Sequence, residues 1–195
     1  MRGAAAGGGG RIAVPALEPS PTVLLLVDYV NPLDFRGAEA LAPAAVAAAR
    51  ATAALRRQLH AAGTQVVYAN DNYGVWRSDF HALWQRCRGM PGPPGELARA
   101  LAPHKSDFTI LKPRHSAFYE TPLDLLLRQL RCKKLILAGL AADSCVLATA
   151  MDAYLRGYAV WAPVDCVASE SEQVRDQALA LMKRVLKADI RPSRR

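Results

Sequence analysis

Long apolar runs are missing from this 195-residue sequence, and so are closely paired cysteines. A membrane-spanning helix needs about 18–20 uninterrupted apolar residues, but the most apolar stretch, 41–55, contains Pro43 and Arg50. None of the four cysteines shows the two-residue spacing typical of zinc or redox motifs. The first residues lack the leucine-rich segment of a secretory signal. These absences predict a cytoplasmic protein with free thiols and no membrane association.

Motifs of several common enzyme classes are absent as well. The sequence has no Gly-x-Ser-x-Gly elbow, no Walker loop and no Rossmann glycine fingerprint after a strand. We therefore expect neither a serine hydrolase of that type nor a nucleotide cofactor, and we predict no cofactor of any kind.

Acidic residues are fewer than basic ones. The 17 aspartates and glutamates against 25 lysines and arginines give a formal net charge of +8. A basic protein suggests nucleic-acid binding, but five of the arginines lie in the two terminal segments and the other basic residues are scattered over predicted helices. The remaining body is only modestly basic. We therefore expect a small-molecule substrate and no specific nucleic-acid partner.

Apolar strands and helices alternate regularly from Thr22 onward. This alternation is typical of parallel strands joined by right-handed crossovers. It predicts a Rossmann-like α/β fold, a three-layer αβα sandwich with a mainly parallel five- or six-stranded sheet. The glycine- and proline-rich residues 1–21 are predicted to be a disordered leader, residues 22–190 a single domain, and residues 191–195 a basic tail. Predicted strands cover 22–27, 65–69, 108–111, 134–138 and 159–164, with a short one near 188–190; predicted helices cover 38–62, 144–155 and segments that begin at 121 and 169.

Residues 70–107 interrupt this regularity with glycines, prolines and aromatic residues. So long an irregular insertion in a compact domain is usually a lid or a pocket wall. Trp76, Phe80 and Trp84 recur every four residues, which is typical of one buried helix face, yet their position also makes them candidates for a substrate pocket. Arg77 or Arg88 could bind a substrate carboxylate there, although a solvated surface position is the alternative for both.

Three reactive side chains follow predicted strands: Asp28, Lys112 and Cys145. In open parallel sheets, ligands bind at the carboxyl ends of the strands, so these side chains are candidates for one site. Cys145 falls in the first turn of a predicted helix. A helix N-terminus and a nearby ammonium both lower a thiol pKa, and we therefore expect a reactive thiolate.

Three segments resemble the isochorismatase-like cysteine hydrolases. They are 23–35 (VLLLVDYVNPLDF), 112–118 (KPRHSAF) and 139–146 (GLAADSCV), in the order and spacing of that family. The resemblance implies a triad in which the Cys145 thiolate attacks an electrophilic carbon, Asp28 is the general base and Lys112 holds the charges in place. It further implies an oxyanion hole from the backbone N–H groups of Ala141 and Cys145, a cis peptide bond before Ala141, and a homo-oligomeric assembly.

Two departures from the family's sequence pattern narrow the prediction of the substrate and of a metal site. Ala142 stands where the family often has threonine, and the segment 70–73 has no histidine where the family's nicotinamidases have a metal-binding Asp-x-His motif. We therefore predict no metal site and a substrate other than nicotinamide. Hydrolysis of an amide, ureido or related C–N bond is the main hypothesis; a vinyl ether hydrolase and a catalytically silent binding protein are the alternatives. The predicted pocket residues are Phe35, Trp76, Arg77, Phe80, Trp84, His115 and Phe118.

Overall fold

The computed structural model describes residues 17–194. Its six strands are β1 Thr22–Val27, β2 Gln65–Asp71, β3 Phe108–Lys112, β4 Lys134–Leu140, β5 Ala159–Trp161 and β6 Val167–Ala168. Its α-helices are α1 Ala38–Ala61, α2 Phe80–Arg88, α3 Pro93–Ala100, α4 Leu123–Gln129, α5 Leu147–Leu155 and α6 Glu172–Leu186. A π-helical turn, Ala142–Val146, leads into α5, and a 3-10 turn, Val164–Cys166, precedes β6.

The strands form one sheet with the order β3-β2-β1-β4-β5, and β6 pairs with the end of β4. All pairings are parallel. Strand β1 is central, and its residues 23–27 are no more than 1% exposed. Such a continuous apolar run is expected of a strand that is covered on both faces.

Helices cover both faces of the sheet. Alternate β1 residues point to opposite sides: Leu24 and Leu26 pack with α1, α2 and α3, whereas Val23, Leu25 and Val27 pack with α4, α5 and α6. This arrangement confirms the predicted three-layer αβα sandwich with a mainly parallel sheet of five or six strands, and the sheet has six.

The sixth strand is not where the sequence pattern placed it. Pro163 ends regular pairing after β5, and the sixth strand forms at Val167–Ala168. The predicted strand at 188–190 contributes one isolated bridge, between Trp161 and Asp189.

The segment 70–107 is more regular than predicted, because it contains α2 and α3. Helix α2 begins at Phe80, where Asp79 accepts a hydrogen bond from the N–H of Ala82. Trp76 therefore lies outside the helix and does not share its buried face.

The structure describes part of each predicted terminal segment. Ser20 is buried and its hydroxyl accepts a hydrogen bond from the N–H of Gln65, so ordered packing begins inside the predicted leader. At the other end, Arg191 pairs with Asp189, and Ser193 hydrogen-bonds to Asp165. The rest of the predicted leader, 1–16, and residue 195 lie outside the described residues. Within residues 17–194, no helix has the length and apolar character needed to cross a membrane.

Candidate active site

The fold brings Asp28, Lys112 and Cys145 to one place at the carboxyl edge of the sheet. Asp28 follows β1 directly, Lys112 is the last residue of β3, and Cys145 lies in the π-helical turn after β4. Strand β2 separates β1 from β3. Only a long side chain such as that of lysine can reach from β3 across β2 to the end of β1.

Lys112 lies at the centre of this group, and its side chain is completely buried. Its Nζ atom lies 2.8 Å from Asp28 Oδ2 and 3.5 Å from Cys145 Sγ. Nζ also donates a hydrogen bond of 3.1 Å to the carbonyl of Arg114 and lies 3.8 Å from Asp71 Oδ2. A buried ammonium requires such partners, because an unpaired charge in the interior carries a large desolvation cost.

Asp28 is held by backbone as well as by Lys112. Its φ of 53° places it in the left-handed region, which aspartate tolerates better than most residues. Its Oδ1 atom accepts a 2.7 Å hydrogen bond from the N–H of Asp71, which leaves Oδ2 for Lys112. The carboxylate is therefore fixed in orientation beside the ammonium.

Cys145 is nearly buried, but it faces a cavity of about 440 Å³ that Asp28 also lines. His115 lies on the same cavity, with Nδ1 3.6 Å from the sulfur, and Ser144 Oγ lies 4.0 Å from the sulfur. The sulfur is thus accessible to a small molecule and is not sealed in the apolar core.

The expected low pKa of the Cys145 thiol is wrong for this arrangement. Burial and the negative charge of Asp28 together raise the thiol pKa to about 12, and the opposing effect of Lys112 is smaller. Burial also raises the pKa of Asp28, although Lys112 lowers it in part. Burial lowers the pKa of Lys112, but the negative charge of Asp28 is the main opposing effect and the net pKa is raised. The resting site therefore holds a thiol beside a carboxylate–ammonium pair.

The backbone that follows β4 forms another wall of this cavity. Ala141 and Cys145 both line it, and the peptide bond between Leu140 and Ala141 is cis, as the resemblance implied. The N–H groups of Ala141 and Cys145 remain the predicted oxyanion hole.

Two of the seven predicted pocket residues line the cavity beside Cys145: Phe35 and His115. Phe80, Trp84 and Phe118 are instead buried in the core, because they lie on the faces of their segments that pack against neighbouring elements. Trp76 is 80% exposed, and neither it nor the exposed Arg77 lines this cavity. The structure does not support a pocket role for these five residues.

Sequence reasoning missed several cavity residues. Asn31 lies within a family-like segment and could have been singled out there. Asp71 and Tyr73 lie in the segment 70–73, which stood out only for its lack of histidine, and Glu170 carried no recognisable signal. Only the folded chain brings the start of the 70–107 segment and the loop before α6 to the same cavity.

Residues 70–73, which stand where the nicotinamidases have the metal-binding motif, make other contacts. Asn70 exchanges hydrogen bonds with the backbone N–H and carbonyl of Val30, and Asp71 contacts Lys112 and the N–H of Tyr73. Among residues 17–194, no group of three His, Cys, Asp or Glu side chains has an arrangement that could hold a metal ion.

Comparisons with known proteins agree with this architecture. The model of the isochorismatase domain matches residues 22–189. An isochorismatase family protein of Bacillus subtilis, YaaI, is 36% identical over 174 residues, covering 89% of this chain and 95% of its own. The ureidoacrylate amidohydrolase RutB of Methylorubrum extorquens is 31% identical over 180 residues, covering 73% of this chain and 68% of its own. The crystal structure of N-carbamoylsarcosine amidase from Thermoplasma acidophilum superposes with a TM-score of 0.70 at 27% identity, covering 89% of this chain and 97% of that one.

The fold and these similarities define the class of the protein, a hydrolase of the isochorismatase type with a three-layer αβα sandwich. The chain belongs to the isochorismatase family. The predicted family is thereby confirmed, and the protein is an enzyme.

Proposed function

We propose that this enzyme is a cysteine hydrolase that cleaves an amide or ureido C–N bond in a small molecule. The observation that carries the proposal is that Cys145 and Asp28 line one cavity while the buried Lys112 contacts both of them. Nucleophile, base and cation are all side chains of this chain, so the steps below need no metal ion.

The proposed reaction begins with proton transfer. Asp28 takes the proton of the Cys145 thiol while Sγ forms a bond to the substrate carbonyl carbon. Lys112 stabilises the negative charge that moves between the carboxylate and the sulfur. The N–H groups of Ala141 and Cys145 donate hydrogen bonds to the carbonyl oxygen as it becomes negative.

The C–N bond then breaks. The departing nitrogen takes the proton from Asp28 and leaves as ammonia or an amine. Water attacks the resulting acyl–sulfur bond and gives one proton to Asp28. When the C–S bond breaks, that proton returns to sulfur, and the starting thiol and carboxylate are restored.

The names of two relatives favour a ureido substrate. One is a ureidoacrylate amidohydrolase and the other an N-carbamoylsarcosine amidase, so both names specify a carbamoylated nitrogen. The charges of the cavity are compatible with such a group, because Asp71, Asp143 and Glu170 line it and carboxylates accept hydrogen bonds from N–H donors.

A panel of amides and ureas assayed for ammonia release tests the proposal. We expect at least one panel member to be turned over by the wild type and none by Cys145→Ala. That variant should fold normally, because exchanging a thiol for a hydrogen removes little buried area. Turnover near the wild-type rate by Cys145→Ala would refute the nucleophile assignment.

The same panel separates the alternatives when it includes a vinyl ether substrate of the isochorismate type. Release of pyruvate without release of ammonia would favour a vinyl ether hydrolase. Binding of panel members without turnover of any would favour the silent binding protein.

We further propose that the enzyme acts in the cytoplasm as a homo-oligomer. All four cysteines are free, as expected in a reducing compartment.

Helices α4 and α5 expose four apolar side chains, which favours an interface between copies: Leu125, Met151, Tyr154 and Leu155. Light scattering on the purified full chain would show a multiple of the 21.1 kDa chain mass; a monomer at micromolar concentration would contradict the assembly.

A further inference from the structure

A second cavity adjoins the one beside Cys145. Its volume is about 570 Å³, compared with about 440 Å³ for the first cavity. Asn31, Phe35 and Tyr73 line both, so the two cavities are neighbours that share part of a wall. We refer to the cavity beside Cys145 as the inner compartment and to the larger cavity as the outer compartment.

Helix α2 forms a wall of the outer compartment. Phe80, Trp84 and Cys87 form its buried face. Ala82, Leu83 and Arg86 lie on the adjoining face and line the outer compartment. Helical spacing therefore presents an arginine to this space.

The two compartments differ in charge. The inner compartment is lined by Asp28, Asp71, Asp143 and Glu170, and only Asp28 is fully paired, with Lys112. A substrate carboxylate would therefore be repelled there. The outer compartment contains Arg86, the one arginine or lysine that lines either compartment among residues 17–194.

Arg86 is available to a ligand. It is exposed, and it makes no salt bridge with any carboxylate of the described chain. Asn72 and Ser78 add polar side chains to the same wall. Asp34 is the one acidic residue on the outer compartment, and it is likewise without a salt bridge to the described residues.

We infer that Arg86 binds a carboxylate of the substrate while the scissile ureido or amide group lies beside Cys145. The substrate class is then a small acid that carries a carbamoyl or amide group at one end and a carboxylate at the other. This inference rests on the proposed function, and it assigns the carboxylate contact to neither Arg77 nor Arg88. Arg77 does not line either compartment, and the guanidinium of Arg88 lies 5.3 Å from the ring centre of Trp84.

Binding measured without turnover tests the assignment directly. Calorimetric titration of Cys145→Ala with 3-ureidopropionate, and with the uncharged propylurea, gives the affinity for each probe. We expect the acid to bind more tightly than the neutral urea. Introducing Arg86→Gln into the Cys145→Ala variant should weaken binding of the acid by about tenfold or more. A hydrogen bond to a charged group contributes roughly 1.5–3 kcal/mol.

Two control variants make the test specific. Arg88→Gln removes the same charge two residues further along α2 and should leave the acid-to-neutral affinity ratio unchanged. Asp34→Asn removes the opposing charge from the outer compartment and should raise that ratio. Equal ratios with and without Arg86→Gln, or no binding of 3-ureidopropionate at all, would overturn the inference.

Turnover assays on the Cys145-containing protein keep this inference separate from the proposed function. If 3-ureidopropionate binds through Arg86 but no amide or urea is cleaved, the proposed function fails and the carboxylate site stands. If propylurea is cleaved as efficiently as 3-ureidopropionate, the proposed function stands and the carboxylate site is wrong.

Discussion

The Nζ atom of Lys112 lies 2.8 Å from Oδ2 of Asp28, and neither side chain is more than 7% exposed. Burial and the negative charge of Asp28 in this pair raise the pKa of the Cys145 thiol to about 12, and Lys112 opposes them only in part. The negative charge of Asp28 opposes ionisation of Cys145. The thiolate forms only when the proton moves from sulfur to Asp28, which removes the opposing charge in the same step.

Asp28→Asn should therefore lower the pKa of the Cys145 thiol while abolishing turnover. The substitution removes a negative charge that helps to raise the thiol pKa to about 12, and it leaves Lys112 to stabilise the thiolate. The pKa is measured from thiolate ultraviolet absorbance, with Cys145→Ala as the blank for the other three cysteines. We expect faster alkylation of Cys145 at neutral pH in Asp28→Asn than in the wild type.

Asp143→Asn is the matched control. Asp143 lines the same cavity but is not among the groups that shift the Cys145 pKa. A thiol pKa that rises or stays unchanged in Asp28→Asn would contradict the ion-pair explanation.

The pH dependence of kcat/KM should show an acid limb above the ordinary aspartate range. Asp28 must be ionised to accept the thiol proton, and burial raises its pKa from the usual 3.8. As pH falls through this raised value, Asp28 becomes protonated and the rate declines. Circular dichroism at each pH distinguishes this decline in rate from a decline caused by unfolding. A rate that stays constant down to about pH 4 in the folded enzyme would show that no such base operates.

His115→Gln should reduce turnover without affecting stability. His115 Nδ1 lies 3.6 Å from Cys145 Sγ and 3.4 Å from Ser144 Oγ, and the residue is exposed to the cavity. Loss of a hydrogen bond worth about 1 kcal/mol predicts a roughly fivefold decrease in kcat/KM. Arg114→Gln, at the neighbouring exposed position, should retain full activity. Equal rates for both variants would remove His115 from the site.

Gly139→Ala should destabilise the fold and the site together. A Cβ atom at this position would lie 2.2 Å from the carbonyl oxygen of Val27, its register partner on β1. The end of β4 must shift, with an expected loss of about 1–3 kcal/mol in the free energy of unfolding. Gly89→Ala, whose nearest contact would be an ordinary 3.6 Å, is the control. Urea denaturation of both variants measures the difference; equal midpoints would show that the close approach is relaxed at little cost.

Periodicity predicted the elements of the sheet well. Strands β1, β2, β3 and β4 begin at the predicted residues, because each is a short apolar run whose first residue follows a clear turn. The pattern failed at Trp76, since a four-residue recurrence cannot show that α2 begins only at Phe80, after the capping residue Asp79.

Charge interactions were the second limit of sequence reasoning. The positions of Lys112 and Cys145 at strand ends indicated that they could meet, but not how burial would act on the thiol. The sign of its pKa shift depends on distances to Asp28 and on the loss of solvent, and neither can be read from spacing.

The sequence alone determined the sandwich fold, its family and the three residues that follow the strands, because each is encoded in local apolar runs and short motifs. Only the tertiary structure decided that the pKa of the thiol is raised, that Phe80, Trp84 and Phe118 belong to the core, and that Arg86 lines the cavity next to the one beside Cys145. These properties arise from contacts between segments far apart in the chain, where helix rotation, burial and charge separation are fixed by packing.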